Sequence, residues 1–256
     1  MKIIENISYK KTDLDVCMLD IYLPDTDVFP VFIYFHGGGL ESGSRKSYEL
    51  CKAIAEKGIA VLSADYRMYP TAVFPDFIKD AAAAVAWAYK NMQDYGKVTN
   101  IFVGGSSAGG YLSQMLCFDK KYLAVYGIDS DKLGGYLHDA GQPTTHFNVL
   151  RERGSDTRRV IIDEAAPIYH IVGNRDYAPM QIIVSDNDMQ NRLEQTYLLV
   201  STLKHFEYSE DKLDFRVMKD STHCSYVNKQ NSCGEWIFAN MIYEFIASKD
   251  KEWNKK

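Results

Sequence analysis

The sequence has few cysteines, and their spacing suits no structural role. The 256 residues include five cysteines, an odd number that contains no Cys-x-x-Cys pair. This argues against both a disulfide framework and a zinc site, so we predict no metal. Cys224 and Cys233 lie close together near a histidine. A reactive thiol or a metal pair there is the alternative to two small, buried hydrophobic side chains, which we favour.

Long apolar runs are also missing. No run approaches the roughly 20 residues that a membrane-spanning helix needs. The first six residues, Met-Lys-Ile-Ile-Glu-Asn, contain no apolar core of a secretory signal. We therefore expect a cytoplasmic protein without a membrane partner.

The sequence has no excess of basic charge. Lys and Arg number 29 against 34 Asp and Glu, which gives a net charge of -5. Nucleic-acid-binding domains carry basic patches, and the few short basic clusters here read as solvated surface. We expect no nucleic-acid partner.

No linker or internal repeat divides the chain, so we predict one domain over residues 1–256. A chain of this length can bury a large core without disulfides or metals. Periodicity weakens between residues 141 and 177. We interpret this segment as a small lid or substrate-binding insertion, the alternative being a surface excursion that does not contact the ligand.

Buried-strand and helix patterns alternate along the chain. Because this order is typical of parallel sheets, we predict an α/β fold with a mostly parallel central sheet and helices on both faces. The apolar strand patterns lie at residues 31–35, 59–64, 101–105, 133–137, 180–184 and 213–218, after two N-terminal strands at 3–9 and 16–23 joined by a turn at 10–13. The helical patterns lie at residues 48–57, 75–95, 108–118, 191–206 and 234–248.

Ser107 stands at the centre of a Gly-x-Ser-x-Gly pattern, residues 105–109, between a predicted strand and a predicted helix. This context is that of a nucleophile elbow, in which small residues let strand and helix pass closely while the serine oxygen stays exposed. The alternative is a phosphate-binding turn. That reading is disfavoured because neither Gly-x-x-x-x-Gly-Lys nor Gly-x-Gly-x-x-Gly is present.

Three consecutive glycines, residues 37–39, follow His36 at the end of a buried strand pattern. Glycines let backbone amides turn toward a ligand, and amides that hold a developing oxyanion are worth about 10²–10³ in rate each. We predict an oxyanion hole here. A flexible hairpin loop is the alternative.

A serine nucleophile needs a base and an orienting carboxylate. Asp188 and His223 each follow a predicted strand, in the chain order Ser, Asp, His of α/β-hydrolases. We therefore predict Ser107, Asp188 and His223 as the catalytic triad. Asp186 is the competing acid. The other histidines lie in the glycine loop, in a strand, in a helix or before the acid.

These motifs resemble those of the α/β-hydrolase superfamily, and in particular of esterases and lipases with an HGGG loop. That group includes hormone-sensitive-lipase-like carboxylesterases and small acetyl or feruloyl esterases of plant polysaccharides. The residues that carry the resemblance are His-Gly-Gly-Gly at 36–39, Asp-Tyr-Arg-Met-Tyr-Pro at 65–70, Gly-Ser-Ser-Ala-Gly-Gly at 105–110, Asp188 and His223.

The resemblance implies the α/β-hydrolase fold, an oxyanion hole formed by the amides of Gly38, Gly39 and Ala108, and no cofactor. The chain departs from many lipase-like relatives at Ser106, where they carry an acidic residue, and after His223, where Cys-Ser replaces the frequent glycine. Its start is also short, which favours the compact polysaccharide-esterase type.

We accordingly predict a serine esterase that cleaves short-acyl esters, with acetylated sugars as one substrate class. An amidase or peptidase with the same triad and a non-catalytic ligand receptor are the alternatives. The expected partner is a small-molecule ester, and a homodimer is compatible with the sequence. Proximity to the catalytic elements along the chain nominates five residues for the substrate pocket, namely Leu40, Ser106, Tyr111, His146 and Met189.

Overall fold

A computed structural model describes residues 1–11 and 16–253. Its strands are β1 (Lys2–Ser8), β2 (Met18–Leu23), β3 (Val28–Phe35), β4 (Ala60–Ala64), β5 (Lys97–Ser106), β6 (Gly135–Asp139), β7 (Met180–Asn187) and β8 (Leu213–Thr222). Its α-helices are α1 (Tyr48–Ala55), α2 (Asp76–Asn91), α3 (Ala108–Phe118), α4 (Lys121–Ala124), α5 (Phe147–Glu152), α6 (Arg192–His205) and α7 (Ile237–Lys249).

The eight strands form one sheet in the order β1-β2-β4-β3-β5-β6-β7-β8. β1 and β2 are antiparallel to their neighbours, whereas β4, β3, β5, β6, β7 and β8 run parallel. The carboxyl ends of the parallel strands therefore meet at one edge of the sheet, where ligand sites of open α/β folds lie. The predicted mostly parallel sheet is confirmed.

Two hydrophobic cores cover the two faces of the sheet. The larger core packs α2, α3 and α6 against one face, and the smaller packs α1 and α7 against the other. The central strands β3, β4 and β6 are buried on both sides, as their uninterrupted apolar patterns require. The edge strands β1 and β8 are partly exposed.

The predicted elements occur where the sequence places them, with shifts at their ends. β3 begins at Val28, before Pro30, and β6 is shifted two residues toward Asp139. The helix predicted over 75–95 is α2 followed by a 3₁₀ turn at Met92–Tyr95. In the turn predicted at 10–13, Thr12 and Asp13 lie outside the described residues.

The insertion of residues 141–177 lies between β6 and β7 and contains α5 and a short 3₁₀ helix, Pro167–His170. It packs on the glycine loop. The Asn148 amide donates a hydrogen bond to the Gly39 carbonyl at 2.8 Å, and a Cβ added to Gly39 would lie 3.0 Å from the Phe147 ring. The segment thus contacts a predicted site element, and its role as a lid stays a prediction.

Candidate active site

Ser107 lies between the end of β5 and the start of α3 with φ 57° and ψ −113°. This conformation is strained for a residue with a side chain and persists only where the surroundings impose it. The close approach of strand and helix supplies that constraint. A Cβ added to Gly109 would lie 1.9 Å from the Phe35 carbonyl oxygen, and one added to Gly105 would lie 2.4 Å from the same atom.

His223 and Asp188 meet Ser107 at the carboxyl edge of the sheet. His223 Nε2 lies 2.8 Å from Ser107 Oγ, and His223 Nδ1 lies 2.6 Å from Asp188 Oδ1. The serine follows β5, the carboxylate follows β7 and the imidazole follows β8. Three strand ends thus bring together a hydroxyl, a base and an acid in hydrogen-bonding contact.

The Asp188 side chain is fully buried and is held as a carboxylate. Burial alone raises a carboxyl pKa, but the hydrogen bond and charge of His223, with the amides of Met189 and Ser185, hold the Asp188 pKa below its ordinary value. Asp186 has another role, because it accepts hydrogen bonds from the amides of Asp220 and Ser221 at the end of β8, just before His223.

The glycine loop leaves its amides available to a ligand. Within the described part of the chain, the amides of Gly38, Gly39 and Ala108 donate to no acceptor. The loop passes directly over the serine, since a Cβ added to Gly37 would lie 3.2 Å from Ser107 Cβ. Left-handed φ values of 115° and 66° at Gly38 and Gly39 turn the backbone here. The arrangement suits an oxyanion hole.

The residues after β4 fasten this loop. Asp65 accepts a hydrogen bond from the Arg45 amide at 2.6 Å. The Tyr66 ring stacks on His36 at 4.5 Å between centroids, and the Tyr66 hydroxyl donates to the His36 carbonyl oxygen at 2.9 Å. The Asp-Tyr pair therefore positions the glycine loop and lies outside the reacting centre.

Asp139, which sequence reasoning missed, forms a fully buried polar cluster behind the serine. Its backbone carbonyl accepts the Ser107 amide at 2.8 Å, and its carboxylate accepts a hydrogen bond from the Tyr226 hydroxyl. Burial raises the pKa of Asp139 to about 6, against the lowering effects of hydrogen bonds from Ser106 and Tyr226. The sequence does carry a signal for this residue, because Asp139 is a carboxyl residue two positions after the predicted strand at 133–137.

The five residues nominated for the substrate pocket fall into two groups. Met189 is 43% exposed and lines a cavity of about 370 Å³. The other four are buried and do not line that cavity. Their exposed fractions are 0% for Leu40, 0% for Tyr111, 1% for His146 and 4% for Ser106.

Each of the three polar side chains in the buried group has an internal hydrogen-bond partner. The Tyr111 hydroxyl donates to the Ala165 carbonyl oxygen at 2.9 Å, and Ser106 Oγ accepts from the Tyr34 hydroxyl at 3.3 Å. His146 Nδ1 accepts the Asn148 amide and caps α5. These side chains support the walls of the site from within.

A second and larger cavity, about 730 Å³, lies away from the triad. It is lined by α2, the segment around α4 and Glu164 of the insertion. Volume alone is therefore a poor guide to the reacting centre here. Two residues that line the smaller cavity neighbour elements of the site, because Met189 follows Asp188 directly and Phe147 contacts the glycine loop.

The five cysteines are all free thiols. Burial, together with the negative charges of Asp139 and Asp188, raises the pKa of the Cys224 thiol. A raised pKa opposes thiolate formation, which disfavours the reactive-thiol alternative. In residues 1–11 and 16–253, no three His, Cys, Asp or Glu side chains are grouped to hold a metal ion.

Comparison with protein families decides the relationship. Residues 19–149, about half of the chain, match the BD-FAE family model. The chain belongs to the BD-FAE family. The matched segment includes the glycine loop and Ser107, and the resemblance to HGGG-type esterases and lipases is confirmed.

Curated relatives of this BD-FAE chain share its sequence over part of their length. Esterase LipC of Mycobacterium tuberculosis is 30% identical over 202 residues, which cover 71% of this chain and 50% of LipC. The chain spans between about a quarter and a half of the first curated relatives it matches.

Solved structures share the whole fold. Esterase B from Lactobacillus rhamnosis superposes with a TM-score of 0.79 at 17% identity, covering 99% of this chain and 87% of the other. A truncated carbohydrate esterase from gut microbiota gives a TM-score of 0.78 at 18% identity, covering 98% and 96%. The predicted α/β-hydrolase fold is confirmed. None of the described helices has the length and apolarity needed to cross a membrane.

Proposed function

We propose that this BD-FAE chain is a serine carboxylic-ester hydrolase that acts through Ser107, His223 and Asp188. The observation that carries the proposal is the continuous hydrogen-bonded path from Ser107 Oγ through the imidazole to Asp188, at 2.8 Å and 2.6 Å. The names of the relatives and fold neighbours, which are esterases, support the same reaction.

In the first half of the reaction, Ser107 Oγ attacks the ester carbonyl carbon while His223 Nε2 takes its proton. The Asp188 carboxylate stabilises the imidazolium through Nδ1–H. The amides of Gly38, Gly39 and Ala108 hold the oxyanion of the tetrahedral intermediate. Collapse breaks the ester bond, and the imidazolium donates its proton to the leaving alkoxide, which departs as the alcohol.

In the second half, His223 takes a proton from water, and the resulting nucleophile attacks the acyl group on Ser107. The second tetrahedral intermediate expels the serine oxygen, which regains its proton from His223. The products are the carboxylic acid and the free enzyme. Every proton transfer uses the same nitrogen, which the 2.8 Å contact places beside the reacting oxygen.

For the substrate, we propose short-acyl esters that include acetylated sugars. One fold neighbour is titled a carbohydrate esterase, which supports testing sugar esters first. The predicted cytoplasmic location, the homodimer and the lid role of residues 141–177 stay predictions.

The test is hydrolysis of p-nitrophenyl acetate, butyrate and octanoate, of acetylated xylo-oligosaccharides, and of p-nitroacetanilide. We expect the acetate and butyrate esters to be cleaved, the anilide to be cleaved poorly, and Ser107→Ala to lose at least about 10⁴-fold in kcat. Ser201→Ala, at an exposed serine of α6, is the matched control and should retain activity. A folded wild type that cleaves only the anilide indicates an amidase, and one that cleaves nothing favours the receptor alternative.

A further inference from the structure

The 370 Å³ cavity beside the triad concentrates positive charge. Three of the residues that line it are arginines, and none of its described lining residues is Asp or Glu. The chain as a whole carries a net charge of -5, so the charge of this cavity is opposite in sign to that of the chain. The three are Arg158, Arg159 and Arg192.

Arg192 is a buried cation without a carboxylate partner. Its residue is 4% exposed. Its guanidinium donates to the Ala140 carbonyl oxygen and, at 3.3 Å, to Gln142 Oε1, and in the described chain it forms no ion pair. Burial lowers the pKa of Arg192, with the Asp188 charge opposing this effect. A buried charge that meets only neutral acceptors favours the approach of an anion.

Arg159 supplies a second unneutralised charge, at the exposed rim. It makes no ion pair with any described residue, whereas Arg158 is paired with Asp156 at 2.6 Å. An exposed guanidinium retains its planar set of donors for a ligand. The cavity therefore offers one buried and one exposed guanidinium.

Two residues in the wall of the cavity are linked to the reacting centre through the backbone. Arg192 donates to the carbonyl of Ala140, and the preceding carbonyl, of Asp139, accepts the Ser107 amide at 2.8 Å. Met189 forms another part of the wall directly after Asp188. A group bound in this cavity can thus belong to the same molecule as an ester placed at Ser107.

Resting on the proposed esterase function, we propose that this cavity binds a carboxylate carried by the substrate, so that anionic esters are preferred over neutral ones. A guanidinium forms paired hydrogen bonds with a carboxylate, and charge-assisted bonds are about twice as strong as neutral ones. The side-chain amides in the lining, such as Gln142 and Gln195, add donors for neighbouring polar groups.

The first experiment places the carboxylate on the alcohol portion. It compares kcat/KM for 3-acetoxybenzoate and for its neutral methyl ester, methyl 3-acetoxybenzoate, at pH 7.5 and low ionic strength. We expect the wild type to favour the anion about tenfold, the size of one charge-assisted hydrogen bond. Arg159→Gln should reduce this ratio several-fold through KM, and Arg159→Glu should reduce it further.

The second experiment places the carboxylate on the acyl portion. It compares ethyl hydrogen adipate with ethyl hexanoate, followed by titration of the released acid. A preference in one pair assigns the cavity to that portion of the ester and supports the proposal. No preference in either pair, or a preference that survives Arg159→Glu, would overturn it.

The control is Lys97→Gln, which removes one exposed positive charge at the start of β5, the end of that strand opposite Ser107. It should leave both ratios unchanged, whereas equal changes in Lys97→Gln and Arg159→Gln would indicate a general charge effect and contradict the site. Calorimetric titration of Ser107→Ala with 3-hydroxybenzoate separates this proposal from the esterase function. Binding of 3-hydroxybenzoate that is weakened by Arg159→Gln would support the carboxylate site even if the protein is not an esterase. If no binding is detected, the carboxylate site is contradicted, whatever the ester kinetics show.

Discussion

The carboxyl edge of strands β5, β7 and β8 and the insertion of residues 141–177 contribute to one site but are held in different ways. The edge is fixed by the strand ladder, which sets Ser107, Asp188 and His223 within hydrogen-bonding distance. The insertion is fixed by side-chain contacts, such as the Asn148 bond to the Gly39 carbonyl.

This difference separates the proposed chemistry from the proposed selectivity. Backbone ladders fix the positions of strand ends closely, which suits groups that must act on one bond. In a segment held by individual side chains, the residues that line the substrate site can change without disturbing the sheet. We therefore expect changes at the edge to act mainly on kcat and changes at the insertion to act more weakly.

The largest effect is expected at the acid of the triad. Asp188→Asn removes the charge that stabilises the imidazolium and should lower kcat about 10³–10⁴-fold on p-nitrophenyl acetate. Asp186→Asn is the control, because it makes the same substitution two residues away, and it should lower kcat less than about threefold. Equal losses in the two variants would contradict the assignment of Asp188.

A smaller effect, on stability, is expected at Asp139. Its pKa of about 6 in the folded protein exceeds the ordinary 3.8, so the native state binds a proton more tightly than the unfolded state. The stability from this group is complete below about pH 4 and is lost as pH rises through 6. Asp139→Asn has no titrating carboxyl group at this position, so its stability does not fall in this pH range for that reason. Its free energy of unfolding, relative to wild type, should rise by about 1–2 kcal/mol between pH 5 and 8 in urea titrations.

A difference that is constant across this pH range would show that the Asp139 carboxyl group does not titrate in the folded protein. A relative destabilisation of the variant that grows with pH would reverse the sign and contradict the account of the buried cluster.

The smallest effect is expected in the insertion. Asn148→Ala loses one hydrogen bond to the glycine loop, worth about 0.5–1.5 kcal/mol, and should lower kcat on p-nitrophenyl acetate about two- to tenfold. Asn91→Ala removes a comparable bond, to the Trp87 carbonyl on α2, far from the site. If both variants reduce kcat equally, the insertion does not support the loop.

Local sequence predicts the sheet edge well because its signals are local. Apolar runs mark buried strands, and a small-residue turn or a polar residue a few positions after a run marks the edge, as at Ser107, Asp188 and His223. Asp139 carries the same signal at the end of β6, which the structure places two residues later than the predicted strand at 133–137.

Side-chain direction was not available from the sequence. Tyr111 and His146 are near catalytic elements along the chain, yet the turn of α3 and the capping of α5 direct them inward, where both are buried. The sequence does not predict a role for Arg192, because it does not show that the guanidinium lacks a carboxylate partner. Only the packing of α6 against Gln142 shows this.

The most direct test of the central claim is covalent labelling with diethyl p-nitrophenyl phosphate, followed by peptide mass spectrometry. The account predicts one diethylphosphoryl group per chain, on Ser107, with labelling strongly slowed in His223→Ala. Labelling of another residue, or hydrolysis of p-nitrophenyl acetate that continues after Ser107 is fully modified, would contradict it.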